Sequence, residues 1–247
     1  MCIRDRDNTG NVYVTGSFNY TVDFDPGAGT FNLTSSGLSD LFICKLDANG
    51  VLLWAQKMGG IGKEQSNSVF ADANGNVFIS GFFSETVDFD PGAGITNKVS
   101  NGLQDAFICK FNSNGAFIWV VTFGGTENDI ANSLALDGAG NICVIGIFTG
   151  SVDFDPGTTT VNITAVGSQE VFICKFTTNG GFVWAKNFQG YSTSVAVGNA
   201  ITTDAQGNIY STGYFIGSCD FDTGAGSALA NSNYGSVFVC KLDANGN

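Results

Sequence analysis

Apolar and polar positions follow one another in short, evenly spaced runs along this chain. Asn76-Val77-Phe78-Ile79-Ser80-Gly81 and its counterparts at 11–16, 141–146 and 208–213 are too short, and too rich in Val, Ile and aromatics, for helices. Each follows an Asp-x-x-Gly turn, Asp72-Ala73-Asn74-Gly75 being the clearest, echoed at 7–10, 137–140 and 204–207. There Asp forms an Asx turn and Gly or Asn takes positive φ. A first strand ends at this turn and a second leaves it. A third carries Phe42-Ile43-Cys44-Lys45 and its copies at 107–110, 172–175 and 238–241. Asn49-Gly50, Asn114-Gly115 and Asn179-Gly180 then lead into a fourth strand around Trp54, Trp119 and Trp184, Asn-Gly between apolar runs being the strongest short hairpin signal.

The pattern has a fixed period. Asp23-Phe24-Asp25-Pro26-Gly27 returns at 88–92, at 153–157 and, altered, as Asp220-Phe221-Asp222-Thr223-Gly224, so the spacings are 65, 65 and 67 residues. Four antiparallel strands per period with no helical periodicity predict an all-β β-propeller of four-stranded blades, with about 3.8 blades present. A β-solenoid is the runner-up, but its coils are shorter. The approximate periods are 7–71, 72–136, 137–203 and 204–247. Counted by motif, the second and third strands occur four times and the first and fourth three times, so the chain reads as a fragment of a larger propeller, whose remaining blades are its expected partners. Residues 1–6 hold both arginines and fit none of the repeat, and read as a non-native leader.

Composition sharpens this picture. The chain of 247 residues has 34 glycines but 3 prolines and no Gly-X-Y period, which excludes collagen and places glycine at turns. With 10 basic against 22 acidic residues and a net charge of −12, nucleic acid and anionic membrane surfaces are excluded as partners. No apolar run is long enough for a membrane-inserted helix.

The stretches Asp72 to Gly81, Asp105-Ala106-Phe107-Ile108-Cys109-Lys110-Phe111 and Gly115-Ala116-Phe117-Ile118-Trp119 resemble the signatures of the bacterial β-propeller repeat family called SBBP repeats, from about Asp7 to Asn247. The resemblance implies large secreted or surface proteins, often of Bacteroidota with a C-terminal sorting domain for type IX secretion. It implies no catalytic residue.

Candidate chemistry is sparse. There is no histidine, so Ser-His-Asp, Cys-His and His-metal sites are excluded within the chain. Cys44, Cys109, Cys174 and Cys240 recur at one strand position, too far apart in adjacent blades for disulfides, and read as small buried hydrophobes; Cys143 and Cys219 read as packing residues too. The sharpest candidate is calcium at the paired carboxylates Asp23 and Asp25, Asp88 and Asp90, Asp153 and Asp155, and Asp220 and Asp222, where Pro and Gly turn the chain and carbonyls complete an oxygen shell. Set against it, each Asp caps a turn or pairs with Lys45, Lys110, Lys175 or Lys241, while Phe24, Phe89, Phe154 and Phe221 pack between blades. The tryptophans read as inter-blade packing rather than a sugar platform. No cofactor other than this calcium is expected.

The function expected is a non-catalytic, extracellular or cell-surface protein mediating binding or adhesion to a glycan or protein ligand through the variable segments 59–65, 124–129 and 189–198. The alternatives are a carboxylate-dependent polysaccharide hydrolase or lyase, favoured if Glu127 and Asp129 converge on a partner carboxylate in a cleft, and a purely structural spacer.

Overall fold

The computed structural model describes residues 3–247, which form strands, turns and loops with no α-helix. Blade one consists of β1 (Ile3–Arg6), β2 (Val12–Phe18), a side ribbon of β3 (Thr21–Asp23) and β4 (Asn32–Thr34), then β5 (Asp40–Leu46) and β6 (Leu52–Gly60). Blade two repeats this with β7 (Glu64–Ala71), β8 (Val77–Phe83), ribbon β9 (Thr86–Asp88) and β10 (Asn97–Val99), β11 (Asp105–Phe111) and β12 (Phe117–Phe123). Blade three comprises β13 (Ile130–Leu136), β14 (Ile142–Phe148), ribbon β15 (Ser151–Asp153) and β16 (Asn162–Thr164), β17 (Glu170–Phe176) and β18 (Phe182–Gly190). Blade four has three strands, β19 (Val195–Thr203), β20 (Ile209–Asp220) and β21 (Leu229–Leu242), the last two running on into the fourth ribbon.

Within a blade the strands lie side by side in chain order and antiparallel, as in β13-β14-β17-β18. Two differences from the sequence reading emerge. Ile3–Arg6, which carries no repeat motif, pairs with β2 from Ile3↔Thr15 to Arg6↔Val12, so the first strand occurs four times rather than three. Met1 and Cys2 lie outside the described residues. The stretch between the second and third strands contains a short ribbon, and the end of the previous blade's outer strand joins it: Gly59↔Asp88 and Gly60↔Val87, then Gln189↔Asp220 and Gly190↔Cys219.

Alternation along each strand divides its side chains between two faces, and in blades one to three the third strand is buried on both, Asp105–Phe111 along its whole length. The chain forms two compact units, one of the chain up to Ser100 with Ala106–Thr122, the other of Asn101–Asp105 with Phe123–Asn247. In the first, Tyr13, Leu41, Ile43 and Met58 of blade one share a core with Ile79, Phe107 and Cys109 of blade two. In the second, Cys143, Ile145, Val171 and Ile173 of blade three share one with Phe215, Phe238 and Leu242 of blade four. Within each unit the two blades are thus held by an apolar contact of the same kind. Burying each such side chain contributes roughly 1.5–3 kcal/mol.

Candidate functional site

Three recurring constellations carry the polar side chains. The first is the hairpin turn with its lysine. Asp7 Oδ1 accepts hydrogen bonds from the backbone N–H groups of Thr9 and Asn11, and Oδ2 accepts from Asn11 Nδ2 and the Tyr13 hydroxyl. Partial burial pushes this carboxyl up, but the donors from Asn11 and Thr9 outweigh it and hold it well below the usual range. Lys45 Nζ lies 3.7 Å from Asp7 Oδ2 and donates to Ser113 O in blade two, which also accepts from Trp54 Nε1. Lys175 repeats the device with Asp137 at 2.8 Å and Ala244 O. Lys45 and Lys175 thus pair with turn aspartates rather than with the Asp-Phe-Asp motif, while Lys110 and Lys241 stand over the rings of Phe78 and Tyr210. Asp7, Lys45, Asn74 and Ser113 line a cavity of about 220 Å³.

The second constellation is the ribbon. Asp23 Oδ1 accepts from the N–H groups of Asp25 and Phe31, and Asp25 Oδ1 from that of Gly27; Asp88, Asp153 and Asp220 repeat the first arrangement. Each motif aspartate thus caps the turn of its own ribbon. The central Phe89 is fully buried between Phe83 and Phe107 of its own blade. Phe154 and Phe221 also meet Phe123 and Phe188 of the preceding blade. Among the described residues no group of three or more His, Cys, Asp or Glu side chains gathers, so a cation on a ribbon would draw on the two aspartates and backbone carbonyls.

The third, which sequence reading missed, lies at the opposite end of the blades from the Asp-x-x-Gly turns, where the third strand starts beside the first strand of the next blade. Asp40 and Glu64 meet there in the first unit, Asp105 and Asp129 in the second, and Glu170 and Ser194 follow at the same register; all are buried. Parallel bridges Ser39↔Lys63, Gln104↔Asn128 and Gln169↔Val195 bring the two chain segments together. Asp40 accepts from Ser36 N–H and, at 2.9 Å, from Lys57 Nζ. Glu64 accepts from Gly60 N–H, and burial, with Asp40 nearby, pushes its pKa up to about 7. Asp129 accepts from the N–H groups of Gly125 and Thr149, and burial, with the Asp105 and Glu127 charges, raises it to about 6. Asp105 is also raised, again by burial. The recurrence of an acid at 40, 105 and 170, two residues before the Phe of the Phe-Ile-Cys-Lys motif, was the available signal.

Asp129 is therefore a repeated position, matching Glu64, and its carboxylate is sealed from solvent. Glu127 is exposed, so the two do not present a carboxylate couple to a substrate. Trp54 lays its ring over Gly115, where a Cβ would stand 2.9 Å from a ring atom, and Trp184 stands likewise against Gly246. These are packing roles. Cys44, Cys109, Cys143, Cys174 and Cys219 are buried and in no disulfide, Cys240 is partly buried, and burial pushes Cys143 and Cys219 up to about 12.

No family model matches the chain. It is similar to an uncharacterised WD repeat-containing protein, L264, of Acanthamoeba polyphaga mimivirus, 26% identical over 234 residues that cover 78% of this chain and 16% of that protein. It is also similar to the regulatory protein FlaEY of Caulobacter vibrioides, 27% identical over 176 residues, 69% of this chain and 17% of that protein. The chain spans about one sixth of the length of these curated relatives. The WD-repeat likeness agrees with the four-stranded sheets: this is an all-β chain of β-propeller blades.

Proposed function

We propose that the chain is a non-catalytic binding module that presents one end of its blades to a protein partner outside the cell or at its surface. The observation that carries this is an apolar rim on blade one. Tyr20, Leu38 and Ile61 are 85%, 60% and 74% exposed. They stand on loops tied to one another, Asn19 Nδ2 donating to Leu38 O and Leu38 N–H to Gly62 O. Scattered apolar residues are ordinary on surfaces, whereas grouped ones on hydrogen-bonded loops mark contact sites. Aliphatic side chains suit a protein partner better than a glycan, and WD-repeat propellers, which one relative's name invokes, typically bind proteins. The likeness of the motifs to SBBP repeats supports the extracellular placement, and calcium on the ribbon aspartates remains compatible with it. Against the carboxylate-dependent hydrolase stands the full burial of Asp129.

The test compares the chain with a Tyr20→Ser, Leu38→Ser, Ile61→Ser variant for retention of surface-fraction proteins from the producing cell, with a glycan array alongside. A retained protein lost at least tenfold by the variant, at an unchanged melting temperature, is expected. Equal retention by both, or binding to glycans alone, sinks the reading.

A further inference from the structure

The three blade junctions differ in what meets the acid that opens the third strand, although Glu64 Oε1 of the first is, like Asp105 Oδ1 of the second, buried without a hydrogen-bond partner. In the first, one oxygen of Asp40 accepts the Ser36 N–H while the other faces the Lys57 ammonium, which also donates to Ser36 Oγ at 2.7 Å. In the third, Glu170 Oε1 accepts the N–H groups of Val166, Gly167 and Gly190, and Oε2 is taken by Asn187 Nδ2 at 2.7 Å. Lys57 and Asn187 stand at the same point of the repeat, two periods apart. The second junction has Thr122 at that register, too short to repeat either contact. Asp105 Oδ2 accepts the Asn101 N–H, but Asp105 Oδ1 is buried with no hydrogen-bond partner. It is the counterpart of the Asp40 oxygen that holds the ammonium.

Charge counts the same way. The first junction sets one cation against two acids, and the third has a single acid because Ser194 replaces the second. The second sets two buried acids, Asp105 and Asp129, against no cation, in a place where an uncompensated pair costs several kcal/mol.

We propose that the second junction binds a hard metal cation, calcium by charge, at Asp105 and Asp129, in the role that the Lys57 ammonium fills in the first. Oxygen-only ligation suits calcium, and the carbonyls and water that complete such shells are compatible with a backbone-rich junction. Gly124 packs directly on the Asp105 carboxylate, a Cβ there falling 2.4 Å from Cγ, so backbone closes one side of the site. With two carboxylates the affinity falls in the range of extracellular modules, a Kd of about 0.1–1 mM. This site is separate from the Asp-Phe-Asp ribbons and does not depend on the binding reading above.

The experiment is calcium titration of the whole chain by calorimetry and thermal unfolding, with sodium chloride of equal ionic strength as control. One calcium per chain is expected, with a rise in melting temperature of about 3–11 °C at 10 mM calcium. Asp105→Asn abolishes the response. Thr122→Lys, which supplies the lysine of the first junction, abolishes it and raises the melting temperature without calcium, and it keeps the test decisive if Asp105→Asn does not fold. Asp88→Asn and Asp153→Asn retain the response. No response to calcium, or one that survives both Asp105→Asn and Thr122→Lys, overturns the proposal. A response lost with the ribbon variants, or several calcium ions per chain, assigns the ion to the ribbons and overturns it as well.

Discussion

Gly115 has φ +78° and lies beneath the Trp54 ring, so two separate demands exclude a side chain there. Gly50, its counterpart in blade one, has φ +85° but open space around it. Gly115→Ala is expected to lose about 2–4 kcal/mol and Gly50→Ala about 1 kcal/mol, measured by urea unfolding; equal losses would remove the tryptophan from the account. Glu64 is expected to govern the pH response of the first junction. Its folded pKa of about 7 lies above the ordinary glutamate value of 4.5, so the folded state holds the proton more tightly and stability falls as pH rises from about 4.5 to 7. The loss is on the order of 2–3 kcal/mol. Glu64→Gln should flatten that part of the stability profile. Aspartates such as Asp7 and Asp137, held low, act oppositely, and their contribution is lost as pH falls below the ordinary carboxylate range. At this scale turn chemistry was legible in the sequence, because Asp72 caps a turn using only residues up to Asn76. The junction acids were not, because Asp40 and Glu64 meet through tertiary pairing, and Asp129 was hidden by the variable loop before it.

The ribbons are the element that sequence reading left as a connection. Their three-residue strands, such as Thr86-Val87-Asp88 against Asn97-Lys98-Val99, are too short for alternation to show. What defines them is the aspartate that reaches eight residues ahead, Asp153 Oδ1 to the N–H of Val161 at 2.8 Å, closing the ribbon end. Asp153→Ala should leave the blade intact and free the ribbon, read as faster amide exchange at Asp155 and Val161 with unchanged exchange in Glu170–Phe176. Protection lost throughout both segments would show that the ribbon holds the blade together. The blade strands themselves were legible because each is bounded by a turn motif and carries Val, Ile or Phe at fixed offsets. The strand Ile3–Arg6 escaped because Asp and Arg alternate where apolar residues are expected.

Over the whole molecule, the 65-residue period foretold the succession of sheets, but burial departs from strict repetition. Ile43, Ile108 and Ile173 are all but inaccessible, whereas Val239, at the same point of blade four, is 80% exposed. Val237 and Tyr234 are 75% and 98% exposed, and Val239 lines an apolar hollow with Ile201 and Tyr210. Ile173→Thr is therefore expected to cost about 2–4 kcal/mol and Val239→Thr less than about 0.5 kcal/mol in chemical unfolding. Similar costs would mean that the last blade's face is covered in solution. The ribbons have one more consequence. The bonds that shape the first of them run between residues 20 and 35, and what it takes from the blade is the seat of Phe24. The first ribbon is accordingly a cassette, unlike the second and fourth, which the preceding blade's outer strand joins. Foreign peptide spliced between Gly27 and Thr30 should be carried on an unaltered blade.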